Sequence, residues 1–155
     1  MELITDRTLA DVERWKTLRD KGLQGMTAEE KAEWFGEMKG RYAYTDMNRV
    51  ESAVDEVARK LRTLGYDVPE LTVKTDWNVR SLPTRVDFER YFDNVEVLRG
   101  VFPLSDDIPK TPITGSRLDY AIANDLEKII EEVDLMVQKI ISARYYAGDI
   151  FAGDI

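Results

Sequence analysis

Apolar positions recur at helical spacing in five stretches and lose that period in two others. This pattern predicts an all-α bundle of four to five helices joined by two long ordered connectors. The clearest stretch places Met47, Val50, Val54, Val57, Leu61 and Leu64 three or four residues apart. Glu51, Asp55, Glu56, Arg59, Lys60 and Arg62 fill the remaining positions, which read as the wet faces. Thr45 is the expected cap and Gly65 the expected left-handed stop. The seam lasts under three heptads, so a helix packed in its own bundle is favoured over a coiled coil.

Two helices precede it. Thr8 and Asp11 form a capping box before a helix over 9–21, with Val12, Trp15 and Leu18 on one stripe and Gly22 as its end. Thr27 and Glu30 open a second helix running to about Lys39, with Ala28, Ala32 and Phe35 on a stripe beside the pair Trp34 and Met38. After the long helix the period disappears over 66–83. Leu71 to Thr75 is a candidate short strand there, and Trp77 a candidate anchor. Pro83, Thr84 and Asp87 then start a helix to about Arg99, with Val86, Tyr91, Val95 and Leu98 inward and Gly100 as stop. A second connector over 100–115 holds Pro103, Pro109 and Pro112, and its Ser105-Asp106-Asp107 is a turn signal. A last helix is expected over 116–143 on Leu118, Ile122, Leu126, Ile129, Val133, Met136 or Val137, and Ile140. Its ~42 Å exceed the ~28 Å of the third helix, so one end should overhang.

The chain closes on a five-residue unit stated twice, Tyr146-Ala147-Gly148-Asp149-Ile150 and Phe151-Ala152-Gly153-Asp154-Ile155. A period of five matches neither helix nor strand, so residues 145–155 read as a docking tail attached to a bundle domain of 1–144. An extended tail would show apolar anchors on both sides. Type II turns, with Gly148 and Gly153 at positive φ, would fold it into two corners. Tyr145, Tyr146, Gly148, Ile150, Phe151, Gly153 and Ile155, with Trp77, are the candidate interface residues. The tail could join another subunit, pack back on its own bundle, or stay disordered.

Composition narrows the chemistry. At 155 residues one core is sufficient, burying about 68 to 70% of the unfolded surface. The absence of Cys and His removes disulfides, thiolate metal sites and the usual base near neutral pH. No metal and no cofactor is expected. The pairs Asp106-Asp107, Glu131-Glu132 and Glu29-Glu30 read as solvated faces, since neighbours on a helix point ~100° apart. No phosphate-cradling glycine motif occurs. A net charge of −8 argues against nucleic acid, no apolar run is long enough for a membrane, and Met1 to Ala10 lacks signal-peptide character.

Several segments resemble small structural proteins of phages and prophages of Gram-positive gut bacteria, of the tail or minor structural kind. They are Ile4-Thr5-Asp6-Arg7-Thr8 with Ala10-Asp11-Val12, Met26-Thr27-Ala28-Glu29-Glu30, and Tyr44-Thr45-Asp46-Met47-Asn48-Arg49-Val50-Glu51. Trp77, Pro83-Thr84, Arg90-Tyr91-Phe92-Asp93-Asn94-Val95, Leu118-Asp119-Tyr120, Ala123-Asn124-Asp125-Leu126-Glu127 and the closing Gly-Asp pairs complete the likeness. The resemblance implies a non-enzymatic virion component, assembled in the host cytoplasm. It would be a repeated tail, tail-tip or baseplate subunit, partnered by its own copies and other virion proteins. A host-surface module stacking cell-wall glycan on Trp77 and Tyr66 is the alternative, as is a head-tail connector component. Within the motifs, Asn48 and Arg49 should bond nearby loops, and Arg90 with Asn94 should hold the region of Asn124.

Overall fold

The computed structural model describes residues 2–113 and 116–152, the last six of them as helix backbone alone. Five helices make up the regular structure: α1 (Leu9–Gly25), α2 (Ala28–Phe35), α3 (Tyr44–Thr63), α4 (Arg85–Arg99) and α5 (Tyr120–Ala152). The chain is all-helical, as the apolar spacing predicts. Thr8, Thr27 and Thr84 each accept the amide of the third helical residue, whose carboxylate reaches back to the cap. The start of α3 differs from expectation: Ala43 is the cap position, and Asp46 accepts its amide at 2.7 Å. Thr45 is exposed within the first turn. At α5 the cap is Asp119, which accepts the Ile122 amide at 2.9 Å, so this helix starts after Leu118 and not at Ser116.

The core is made by α3, α4 and α5. Val50, Val54, Val57 and Leu61 meet Tyr91, Phe92, Val95 and Leu98 of α4 and Leu126, Ile129, Ile130, Val133 and Val137 of α5. The α3 seam is buried as predicted, with Leu64 half-buried at its end. Gly65 follows at φ 89°, the left-handed stop that a side chain would resist. Val86 departs from its predicted place, being exposed at the solvent side of α4's first turn.

Helices α1 and α2 form a hairpin beside this core, with Leu18 and Met26 buried and the backbone leaving helical geometry at Gly22. The segment between α2 and α3 approaches α1 closely: a Cβ on Gly40 would clash with the Asp11 carbonyl oxygen. Helix α2 is shorter than predicted, ending at Gly36, whose amide bonds to Ala32 and Glu33 carbonyls. Its supposed stripe faces water, Phe35 being 72% exposed, while Trp34 and Met38 are half-buried. Eight residues beside a small hairpin leave little surface to bury a second face.

The three core helices run in the same sense. Arg49 of α3 meets Glu127 of α5, Lys60 meets Asp134, and the Leu64 carbonyl accepts from Arg144, so both helices advance together. Tyr66 and Phe102, just beyond the ends of α3 and α4, stack edge to face at 5.2 Å. Parallel helices need long returns, which is the physical reason for the two connectors. Within the first, Leu71 to Thr75 forms no strand. Its backbone is claimed by side chains instead: the Thr72 carbonyl accepts from Arg90 and Asn94, and the Lys74 amide donates to Glu51.

Helix α5 passes residue 143 without stopping and continues through Ala152, taking in the first five-residue unit. Residues 145–152 are therefore helical, where an extended or turned tail was expected, and Gly148 lies within helix. Extending an existing helix needs no new nucleus, so one glycine, unfavourable by ~1 kcal/mol against alanine, does not end it. The period of five misleads because a helix that overhangs has no neighbour and needs no 3.6-residue face.

Candidate interaction surface

Two buried glutamates fix the segments that surround the bundle. Glu127 of α5 accepts Arg7 Nη2 at 2.7 Å and Arg49 Nη2 at 2.9 Å on one oxygen, and the Ile4 amide at 2.6 Å on the other. Asp46 accepts from the same two arginines. One turn before Glu127, Asn124 bonds the Arg7 backbone at both amide and carbonyl. Glu51 of α3 receives Arg90 on both oxygens, the Trp77 indole N–H at 2.9 Å and the Lys74 amide at 2.6 Å. One turn before it, Asn48 bonds the Trp77 backbone at both amide and carbonyl.

Each buried carboxylate thus holds its charge against full desolvation by ion pairs and directed donors. The Glu51 hydrogen bond raises the Arg90 guanidinium above its ordinary value. Burial works against the charge on Arg49, but Glu127 and Asp46 outweigh it and the net direction is upward. Between the two clusters, Tyr42 and Tyr91 share a hydroxyl hydrogen bond, and burial pushes both phenols above their ordinary range.

This scaffold gives the molecule two unlike ends. At the starts of the core helices, burial of Trp77 throws the following turn outward. Asn78 and Ser81 close that turn, the Ser81 amide donating to the Asn78 carbonyl at 2.9 Å and the Arg80 amide to Asn78 Oδ1 at 3.0 Å. The turn presents Val79 and Leu82, 80% and 87% exposed, next to Val86 at 71%. Beside them Phe88, Phe92 and Leu118 line a groove of about 490 Å³ rimmed by Arg85 and Arg117. A second hollow, about 320 Å³, shares Phe88 and Leu118 and is bordered by Ser81 and Pro83, so the apolar surface is continuous.

At the opposite end Arg144 donates to the Leu64 carbonyl at 2.9 Å, satisfying a terminal carbonyl of α3. Beyond that contact the α5 backbone continues for ~12 Å. Tyr145 and Tyr146 stand there 69% and 67% exposed, their rings edge to face at 5.9 Å, with Ile141 half-exposed below them.

Of the sequence candidates, Tyr145 and Tyr146 therefore lie on an open surface. Trp77 does not: at 4% exposure it is an internal anchor, closed to sugar or partner. Gly148 has helical backbone, the side chains of Ile150 and Phe151 lie outside the described residues, and so do Gly153 and Ile155 entirely. Arg90 and Asn94 hold Thr72 and Glu51, not the region of Asn124, which serves Arg7. Asn48 does bond a loop, as expected, whereas Arg49 joins the ion cluster. Val79, Leu82 and the groove escaped sequence reasoning; their signal is two apolar residues in a turn that no helix face can claim. The acidic pairs lie on solvent-facing or half-buried positions, and no group of three or more Asp or Glu side chains converges as a metal site among the described residues.

The fold and these ends define the class: an all-helical bundle whose longest helix projects beyond its neighbours. No protein-family model, curated protein or solved structure matches the chain.

Proposed function

We propose that this chain is a non-enzymatic structural subunit of a phage particle, repeated in the tail, tail tip or baseplate, and assembled through residues 145–155. The supporting observation is the projecting end of α5, where two adjacent tyrosines stand in solvent past the Arg144 bond to the end of α3. Exposed aromatic surface of this kind is uncommon on monomers and typical of the anchors that dominate protein interfaces. The resemblance of several segments to small phage structural proteins supplies the context. Docking to sugar through Trp77 loses its basis, because that ring is inside.

Tyr145 and Tyr146 are exposed, so deleting residues 145–155 should leave a folded domain by circular dichroism. Light scattering should then show a lower assembly mass than the full chain. An unchanged mass distribution overturns the proposal.

A further inference from the structure

Resting on that reading, we infer that the projecting end of one copy docks in the apolar groove at the opposite end of a second copy, so that chains add head to tail. The groove's apolar floor is Phe88, Phe92 and Leu118. Its charged lining is Arg85, Glu89 and Arg117. Arg85 pairs with Glu89 at 2.6 Å, which leaves the Arg117 guanidinium as the lining charge without a carboxylate partner among the described residues. The rim therefore carries one net positive charge on a chain of net charge −8. The segment after Arg144 has the matching chemistry: aromatic and aliphatic residues, with Asp149 and Asp154 as its charged side chains.

The occupant has to be another copy. From Tyr120, beside the groove, to Tyr146 helix α5 covers ~39 Å. Residues 147–155 could span at most ~32 Å even if fully extended, so the segment cannot return to its own groove. Donor and acceptor at opposite ends of parallel helices make a heterologous contact, which closes into a ring if the rotation permits and otherwise continues as a filament.

Two altered chains test this. Chain one lacks residues 145–155 and keeps the groove. Chain two carries Phe88→Asp, a half-buried residue of the groove lining, and keeps the tail; circular dichroism checks that it folds. Neither should self-assemble, and mixing them should give by light scattering a 1:1 complex, one chain of 17.9 kDa plus one chain shortened by residues 145–155. Arg85→Glu with Arg117→Glu in the full chain should weaken association at least tenfold and reduce its salt dependence. If the deletion lowers assembly mass but the groove variant still assembles, or the mixture stays monomeric, docking in this groove is wrong and the proposed function stands. If the deletion leaves assembly unchanged, both fail.

Discussion

Two Asn-x-x-Glu runs, Asn48 to Glu51 on α3 and Asn124 to Glu127 on α5, do the same job with different exposure. Each asparagine closes a two-way amide pairing with one backbone residue, Trp77 or Arg7, and each glutamate takes the next donors along that strap. The Glu127 cluster is sealed at Arg7: the side chains of Glu127 and Arg7 are 0% and 1% exposed, Arg49 reaches solvent at 25%, and the Nε atoms of both arginines have no partner among the described residues. The Glu51 cluster is vented, because its arginine, Arg90, is 20% exposed and bound to both carboxylate oxygens. Arg7 has no path to water when its carboxylate partner loses charge, whereas Arg90 can turn to solvent. The difference teaches which strap is structural to the whole fold and which can open alone.

The largest effect should follow Glu127→Gln. The amide sets a donor against the donors of Arg7, Arg49 or Ile4 and leaves two arginines with Asp46 alone. Urea unfolding should show a loss of about 3 to 5 kcal/mol, the range for breaking a buried pair. Glu51→Gln should lose less, about 1 to 3 kcal/mol, since Arg90 reaches solvent. Its signature is local: Trp77 fluorescence should shift to the red under native conditions as the indole loses its acceptor. Equal losses for both variants would erase the distinction between sealed and vented.

Third come the asparagines. Asn124→Ala and Asn48→Ala each orphan one backbone amide and one carbonyl, at about 1 to 3 kcal/mol. Hydrogen exchange should separate them, with faster exchange at the Arg7 amide in the first and at the Trp77 amide in the second. If either variant accelerates both straps together, the clusters are coupled and the comparison fails.

The helical core was legible in the sequence because burial writes a 3.6-residue period into Val50, Val54, Val57 and Leu61, and because capping boxes are local. The parallel run of α3, α4 and α5 was not, since the only trace of direction is connector length. Glu51 reads as a wet face for a physical reason: a glutamate flanking an apolar stripe points to solvent unless something covers it, and its cover lies 23 to 39 residues away in sequence. Both Asn-x-x-Glu runs stood among the recognisable segments, yet their partners are long-range. The end of α5 was misplaced because rules of periodicity describe packed helices, and just past Arg144 the side chains of Tyr145 and Tyr146 are exposed.

The smallest effect at neutral pH should come from the tyrosine pair that lies between the clusters. Burial above all, and then Glu127 and Asp46 near Tyr42 and Glu127 and Glu51 near Tyr91, keep either phenol from ionising cheaply in the folded state. A phenol whose folded value is raised holds its stabilisation below the unfolded value, about 10, and loses it as pH climbs past that point, because only the unfolded chain then releases the proton. Tyr42→Phe with Tyr91→Phe removes both partners of one hydrogen bond and should change stability at pH 7 by less than ~1 kcal/mol. Between pH 9 and 11 the parent should lose stability more steeply than the double variant, measured by urea midpoints at each pH. Parallel slopes would mean that the pair reaches solvent, and with it that the Glu127 cluster beside Tyr42 is not sealed.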